Sequence, residues 1–147
     1  MSKLIFDGAL HEIALFNGKN EKLGTWTAYN NTESKSKIDY LDNRTYSFID
    51  RIVPFRHTGA KAKEDTEDGA YGSYGIVRFE VGNGHSGVGV HSGRAHHPRL
   101  PGPKHWTQGC IRTTDEAMKS ITDQMSMDSL MTIEIINNSL AVSKQHA

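Results

Sequence analysis

One stretch of the chain, Val88–Thr114 (VGVHSGRAHHPRLPGPKHWTQGCIRTT), gathers His91, His96, His97, His105 and Cys110, and Cys110 is the only cysteine. A lone thiol among histidines admits three chemistries: a metal ligand, a nucleophile, or a packed side chain. Zinc sites take histidines at short fixed spacings on a helix or finger, usually with paired cysteines. Here Pro98, Pro101, Gly102 and Pro103 break the run, so no metal or other cofactor is expected. His96, His97 and His105 are expected on a loop or pocket rim, with no role assigned.

A thiol nucleophile needs a base and donors for the oxyanion. Gly109 lets backbone N–H groups approach a bound carbonyl. A helix starting just beyond Cys110 favours negative charge nearby. Arg112, two residues on, lies on the same side of an extended segment as Cys110. Its guanidinium can depress the thiol pKa or hold a substrate carboxylate. Downstream of Cys110 only His146 remains, so the base is sought upstream, and His91 at the end of a Gly-rich strand is the candidate. On the residues alone, a buried structural cysteine stays equally open.

The elements that must position these groups read as mainly β. KLIFDG, LHEIALFNG and KLGTWTAYN form a meander with turns at Asp7-Gly8 and Asn17-Gly18. In the third segment Leu23, Thr25, Thr27 and Tyr29 oppose Gly24, Trp26 and Ala28. Trp26 and Phe16 are expected in the core. NNTESKSKIDYLDNRT reads as a polar surface loop, and YSFIDRIVPF as a strand or a short helix broken by Pro54. RHTGAKAKEDTEDGAYGS is a second charged loop. Alternation resumes in YGIVRFEV, where Ile76, Arg78 and Glu80 oppose Val77, Phe79 and Val81. SGVGVH then forms a strand whose glycines signal close backbone approach. After Cys110, Thr113 and Glu116 have capping-box spacing, and Ala117, Met118, Ile121 and Met125 share one helical stripe. SLMTIEII is a final strand, with roughly the last ten residues a flexible tail. The whole of residues 1–147 is expected to form one domain.

Bulk composition sets limits. Lys plus Arg and Asp plus Glu each number 17, so the net charge is zero and no nucleic-acid or anionic-membrane footprint is present. One cysteine excludes an intrachain disulfide framework. No run of residues is apolar for long enough to span a membrane. The opening MSKLIFDGAL lacks the pattern of a cleaved signal, so the chain is expected to be made in the cytoplasm.

The stretch resembles the active-site signature of the L,D-transpeptidase (YkuD-like) catalytic domain family. That signature is a His, a spacer of about 14–17 residues, then Ser/Thr-x-Gly-Cys followed by an apolar residue and Arg or Asn. The chain reads His91, fifteen residues (92–106), then Thr107-Gln108-Gly109-Cys110-Ile111-Arg112. The family often has His where this chain has Gln108. The resemblance implies a mainly β (α+β) sandwich or barrel with one principal helix after the cysteine.

It also implies a reaction on peptidoglycan stem peptides. Cys110 would attack the bond between the L-centre of residue 3 and the terminal D-amino acid, forming a thioester. His91 would be the base, oriented by the Gln108 backbone carbonyl. Gly109 would supply an oxyanion N–H. Arg112 would steady the loop or bind a carboxylate, with Thr107 and Ser92 near the substrate. Water, a free D-amino acid or a second stem as acceptor would give carboxypeptidase, exchange or transpeptidase activity. Peptidoglycan lies outside the cytoplasm, so action in the periplasm is implied. LIFDG…LHEIALFNG…GTWTAYN is similar to a branch of type VI secretion effectors, which implies a secretion apparatus and a cognate immunity protein as partners. A stem-peptide-binding module without catalysis is the alternative.

Overall fold

In the computed structural model, which describes residues 1–143, eight strands form one sheet in the order β4-β8-β1-β2-β3-β7-β6-β5. In chain order these are β1 (Ser2–Asp7), β2 (Glu12–Phe16), β3 (Lys22–Tyr29), β4 (Thr45–Ser47), β5 (Val77–Arg78), β6 (Gly89–His91), β7 (Ile111–Thr113) and β8 (Leu130–Ile136). The principal helix, α1, spans Asp115–Met127, and a short α2 spans Leu140–Ser143. The fold is mainly β with one main helix after Cys110, as expected.

The meander follows from its turns. Asp7 Oδ1 accepts the N–H groups of Ala9 and Leu10, and Asn17 Oδ1 accepts those of Lys19 and Glu21. The Asp7 carboxylate and the Asn17 amide oxygen thereby satisfy turn donors that have no ladder partner. On β2 the alternation buries Ile13 and Leu15, and on β3 it turns Gly24, Trp26 and Ala28 inward. Phe16 departs from expectation. Its place in the alternation puts it on the outer side, where the ammonium groups of Lys3 and Lys22 lie 5.6 and 5.9 Å from its ring centroid. Ile76 departs in the opposite sense and is buried.

The two edges of the sheet meet. Phe48, just past β4, bridges Phe79, just past β5. Ile49 N–H donates to the Arg78 carbonyl and Glu80 N–H to the Ser47 carbonyl. Arg78 holds Asp50 in a two-pronged pair, Nε to Oδ2 at 2.8 Å and Nη2 to Oδ1 at 2.9 Å. The sheet therefore curls on itself, and its edges are largely removed as aggregation templates. YSFIDRIVPF is neither a full strand nor a helix: Tyr46 and Ser47 end β4, Phe48 and Phe55 make isolated bridges, and the residues between them are irregular.

The core fills this curl. Leu4, Phe6, Ile13 and Leu15 from the meander meet Met118, Ile121 and Met125 of α1. The buried face of α1 is the stripe read from the sequence, Ala117, Met118, Ile121 and Met125. Its cap is one residue later than expected. Thr114 is the N-cap, and its side chain accepts the Ala117 N–H at 3.0 Å. Thr113 instead remains in β7 and donates to the Thr27 carbonyl at 2.7 Å. The strand pairing thus takes Thr113, and Glu116 loses its capping-box partner. The expected loose tail falls partly on Asn138 and Ser143, which are buried, and partly on 144–147, outside the described residues.

Candidate active site

The parallel pairing of β6 with β7 sets the site. Its register places Val90 opposite Ile111 and His91 opposite Arg112. Side chains alternate along a strand, so His91 and Arg112 share a face, and Cys110, two before Arg112, lies on it as well. Gly89 allows the tight approach of the neighbouring strand: a Cβ there would lie 2.3 Å from the Val77 carbonyl oxygen. His91 is 2% exposed and Cys110 9%. Both line a cavity of about 740 Å³, walled by loop segments around Ile38, Tyr71, Gly87 and Trp106.

The orienting carbonyl for His91 is that of Ser92, not Gln108. His91 Nδ1 lies 2.8 Å from the Ser92 oxygen, so Nδ1 carries the proton and Nε2 keeps its lone pair. The next residue's own carbonyl is held against the ring by chain connectivity. Tyr71 packs edge-on against the imidazole at 5.0 Å. Tyr71 in turn stacks on His57 at 4.3 Å, and His57 Nδ1 pairs with Asp65 at 2.8 Å. Burial lowers the His91 pKa to about 3, the Arg112 charge acts in the same direction, and the Ser92 bond opposes both.

The Cys110 thiol donates to the Gly87 carbonyl at 3.5 Å. Burial raises its pKa to about 11, while a backbone hydrogen bond from Gly89 and the Arg112 charge act the other way without prevailing. The expected helix-terminus effect is not operating. The whole of β7 separates Cys110 from α1, and the macrodipole acts only within about a turn. The start of α1 is occupied by Asp115, which takes Ser73 and Ser92 hydroxyls.

A polar scaffold shapes the nucleophile turn. Thr107 Oγ1 donates to the Cys110 carbonyl at 2.8 Å and accepts the Gly109 N–H at 3.2 Å. Asn30 Nδ2 donates to the carbonyls of Gly109 and Cys110, both at 3.0 Å. Gly109 has φ +127°, and a Cβ there would lie 3.1 Å from Ile38. The positive φ favours glycine, and the close Ile38 side chain leaves little room for a Cβ. The Gly109 N–H, expected to face an oxyanion, is engaged by Thr107. Thr107 therefore builds the turn.

Arg112 is spent on structure. It is 3% exposed, and it donates to four carbonyls: Ser92, His105, Trp106 and Ala70. These come from separate cavity walls, so one guanidinium ties them together. Burial and the nearby Arg94 charge lower its pKa to about 10. Ser92 is 1% exposed and its hydroxyl donates to Asp115, so that side chain faces the helix start rather than a ligand.

His105 lies in the cavity wall, stacked on Trp106 at 4.5 Å, with His97 edge-on at 4.4 Å. Burial lowers the His105 pKa. His96 is exposed, 2.9 Å from Asp68 and 3.3 Å from Glu67. Among the described residues, these three exposed side chains are the one group close enough to share a metal ion, and neither His91 nor Cys110 belongs to it. Three contributors escaped the sequence reading: Asn30, Tyr71 and the Ser92 carbonyl. Tyr71 and Asn30 stand in segments read as polar loop or strand end, with no local signal for either.

Comparison with known proteins accords with this geometry. The family model of the L,D-transpeptidase catalytic domain (YkuD) matches residues 18–135. No curated protein matches the chain significantly. Among solved structures, Bdellovibrio bacteriovorus Bd1075 is similar with TM-score 0.60 and 15% identity, over 99% of this chain and 52% of that one. L,D-transpeptidase 1 of Mycobacterium tuberculosis is similar with TM-score 0.51 and 17% identity, over 91% and 60%. An L,D-transpeptidase from Stackebrandtia nassauensis gives 0.55 and 10%, over 93% and 56%. At such identities the likeness is one of fold, and the chain spans little more than half the length of these proteins. With most of its length matched by the family model, the chain belongs to the L,D-transpeptidase catalytic domain family.

Proposed function

We propose that the protein is a peptidoglycan-modifying acyltransferase with Cys110 as nucleophile and His91 as general base. The observation that carries this reading is the placement of the two side chains on one cavity, with His91 Nδ1 committed to Ser92 and Nε2 left unprotonated. The substrate is a stem peptide ending in a D-amino acid. The Sγ–H proton passes to His91 Nε2 as sulfur attacks the carbonyl of the L-centre residue. The tetrahedral intermediate collapses, the C–N bond breaks, and the D-amino acid leaves with the proton from Nε2. A thioester remains. Water or an amine then loses its proton to His91 and attacks, and the thiol is restored. The oxyanion falls to backbone N–H groups around Cys110, with the Gly109 N–H available only if Thr107 Oγ1 yields it. Arg112 holds the walls rather than a substrate carboxylate.

Burial leaves both groups neutral at rest, so proton transfer accompanies attack instead of preceding it. A non-catalytic stem-peptide binder has no use for such a pair. Action in the periplasm follows from the substrate. Delivery as a type VI effector, with an immunity partner, rests on the likeness of β1 to β3 alone. Its test is killing of a rival strain that depends on the secretion apparatus. For the activity, purified tetrapeptide muropeptide is incubated with the protein and analysed by mass spectrometry. Loss of the terminal D-residue, absent with Cys110→Ala, is expected. Equal loss with the variant would remove Cys110 from the reaction.

A further inference from the structure

The same cavity holds a second guanidinium whose donors are not spent. Arg94 lines it together with His91, Cys110 and Arg112. Arg94 Nε is buried and has no hydrogen-bond partner. No ion pair ties Arg94 to a carboxylate among the described residues. Glu67 and Asp68, close in the preceding loop, engage His96 instead. Arg94 is half-buried as a whole, but a buried N–H without a partner is costly, and native structures rarely leave one so.

The backbone under this side chain is also unusual. Arg94 has φ +55°, a left-handed conformation unfavourable for a long side chain. It is fixed there by its surroundings. Its N–H donates to the Gly69 carbonyl at 3.0 Å, and its carbonyl accepts the Gly102 N–H at 2.7 Å and the His97 N–H at 3.2 Å. A strained residue held by such over-determination commonly serves a ligand. Arg112 provides the contrast, since its donors go to four carbonyls. The Arg94 charge also presses on Arg112 and on His105.

Resting on the reading that Cys110 attacks the last peptide bond, we infer that Arg94 receives the free C-terminal carboxylate of the donor peptide. A planar guanidinium suits a carboxylate with two parallel bonds. An enzyme that removes one terminal residue must read the chain end, and that carboxylate lies one residue beyond the scissile carbonyl. Arg94 is thereby a specificity-determining residue. It selects a free terminus over a blocked one.

The test compares a tetrapeptide stem with its C-terminal primary amide, on the wild-type protein and on Arg94→Gln and Arg94→Lys, with thermal unfolding as the folding control. The wild type is expected to favour the acid in kcat/KM by at least about 10-fold, as a site built for a charged partner does. In Arg94→Gln the acid-to-amide ratio should fall to near one, chiefly through a raised KM for the acid, and Arg94→Lys should retain part of it. Binding of both peptides to Cys110→Ala, followed by calorimetry, should show the same preference without turnover. Acid and amide handled alike by the wild type, or an undiminished ratio in Arg94→Gln, overturns the inference while leaving the activity intact. The absence of both turnover by the wild type and binding to Cys110→Ala, with either peptide, overturns the inference and the proposed function together.

Discussion

Cys110 and His91 line one cavity as neutral groups, because burial penalises their charged forms. With the thiol raised to about 11, alkylation of Cys110 by iodoacetamide should accelerate continuously from pH 7 to 10. A plateau near pH 6 would indicate a preformed thiolate instead. His91 gives a stability signature of defined sign. Its folded pKa lies below the unfolded value, so the contribution is complete above pH 6.5 and is lost as pH falls towards about 3. Denaturant melts across that range should show a steeper acid loss for the wild type than for His91→Gln, and equal slopes would contradict the shift. At this scale the sharing of one cavity by His91 and Cys110 was legible in the motif's spacing. The roles of neighbours were less so. Ser92, expected near the substrate, supplies the carbonyl that was sought at Gln108, and Asp115 takes its hydroxyl.

At the scale of elements, the nucleophile turn is held from far away in sequence. Asn30, at the end of β3, donates to two carbonyls of the turn while its own oxygen accepts from Leu41 N–H and Asn138 Nδ2. Asn138 and Ser143 extend this buried network into the C-terminal segment. Removing Asn30 leaves several buried groups unpaired, so Asn30→Ala should cost about 2–3 kcal/mol in denaturant unfolding. The turnover rate should fall with it, because the turn carrying Cys110 loses its tether. Stability and rate both unchanged would mean the network is incidental. Local patterns could not reveal Asn30, whose partners lie 79 and 80 residues away. The helix was legible through its apolar stripe, but its first turn was not, since strand pairing claims Thr113. Thr114→Ala should therefore cost about 1 kcal/mol as the true N-cap, and Thr113 should matter through β7 instead.

For the whole molecule, the sheet closes on itself where Phe48 bridges Phe79. Neither edge strand is long, β4 having three residues and β5 two, although the sequence around β5 alternates clearly over YGIVRFEV. Phe79 stands at the seam, 5.8 Å from Phe48 and 5.3 Å from Tyr46. Phe79→Ala should cost about 3–5 kcal/mol by loss of packing at a fully buried position. A cost under 1 kcal/mol would mean that the seam contributes little to the fold. With the cavity walls tied together by Arg112, the central claim concerns a covalent bond between Cys110 and a peptide. The direct measurement mixes protein with tetrapeptide stem, quenches in acid, and reads the intact mass and the modified peptide. An adduct equal to the tripeptide acyl group on Cys110, with no adduct in Cys110→Ala, is the expected result. Release of the terminal D-residue that persists in Cys110→Ala, or an adduct on another side chain, would contradict it.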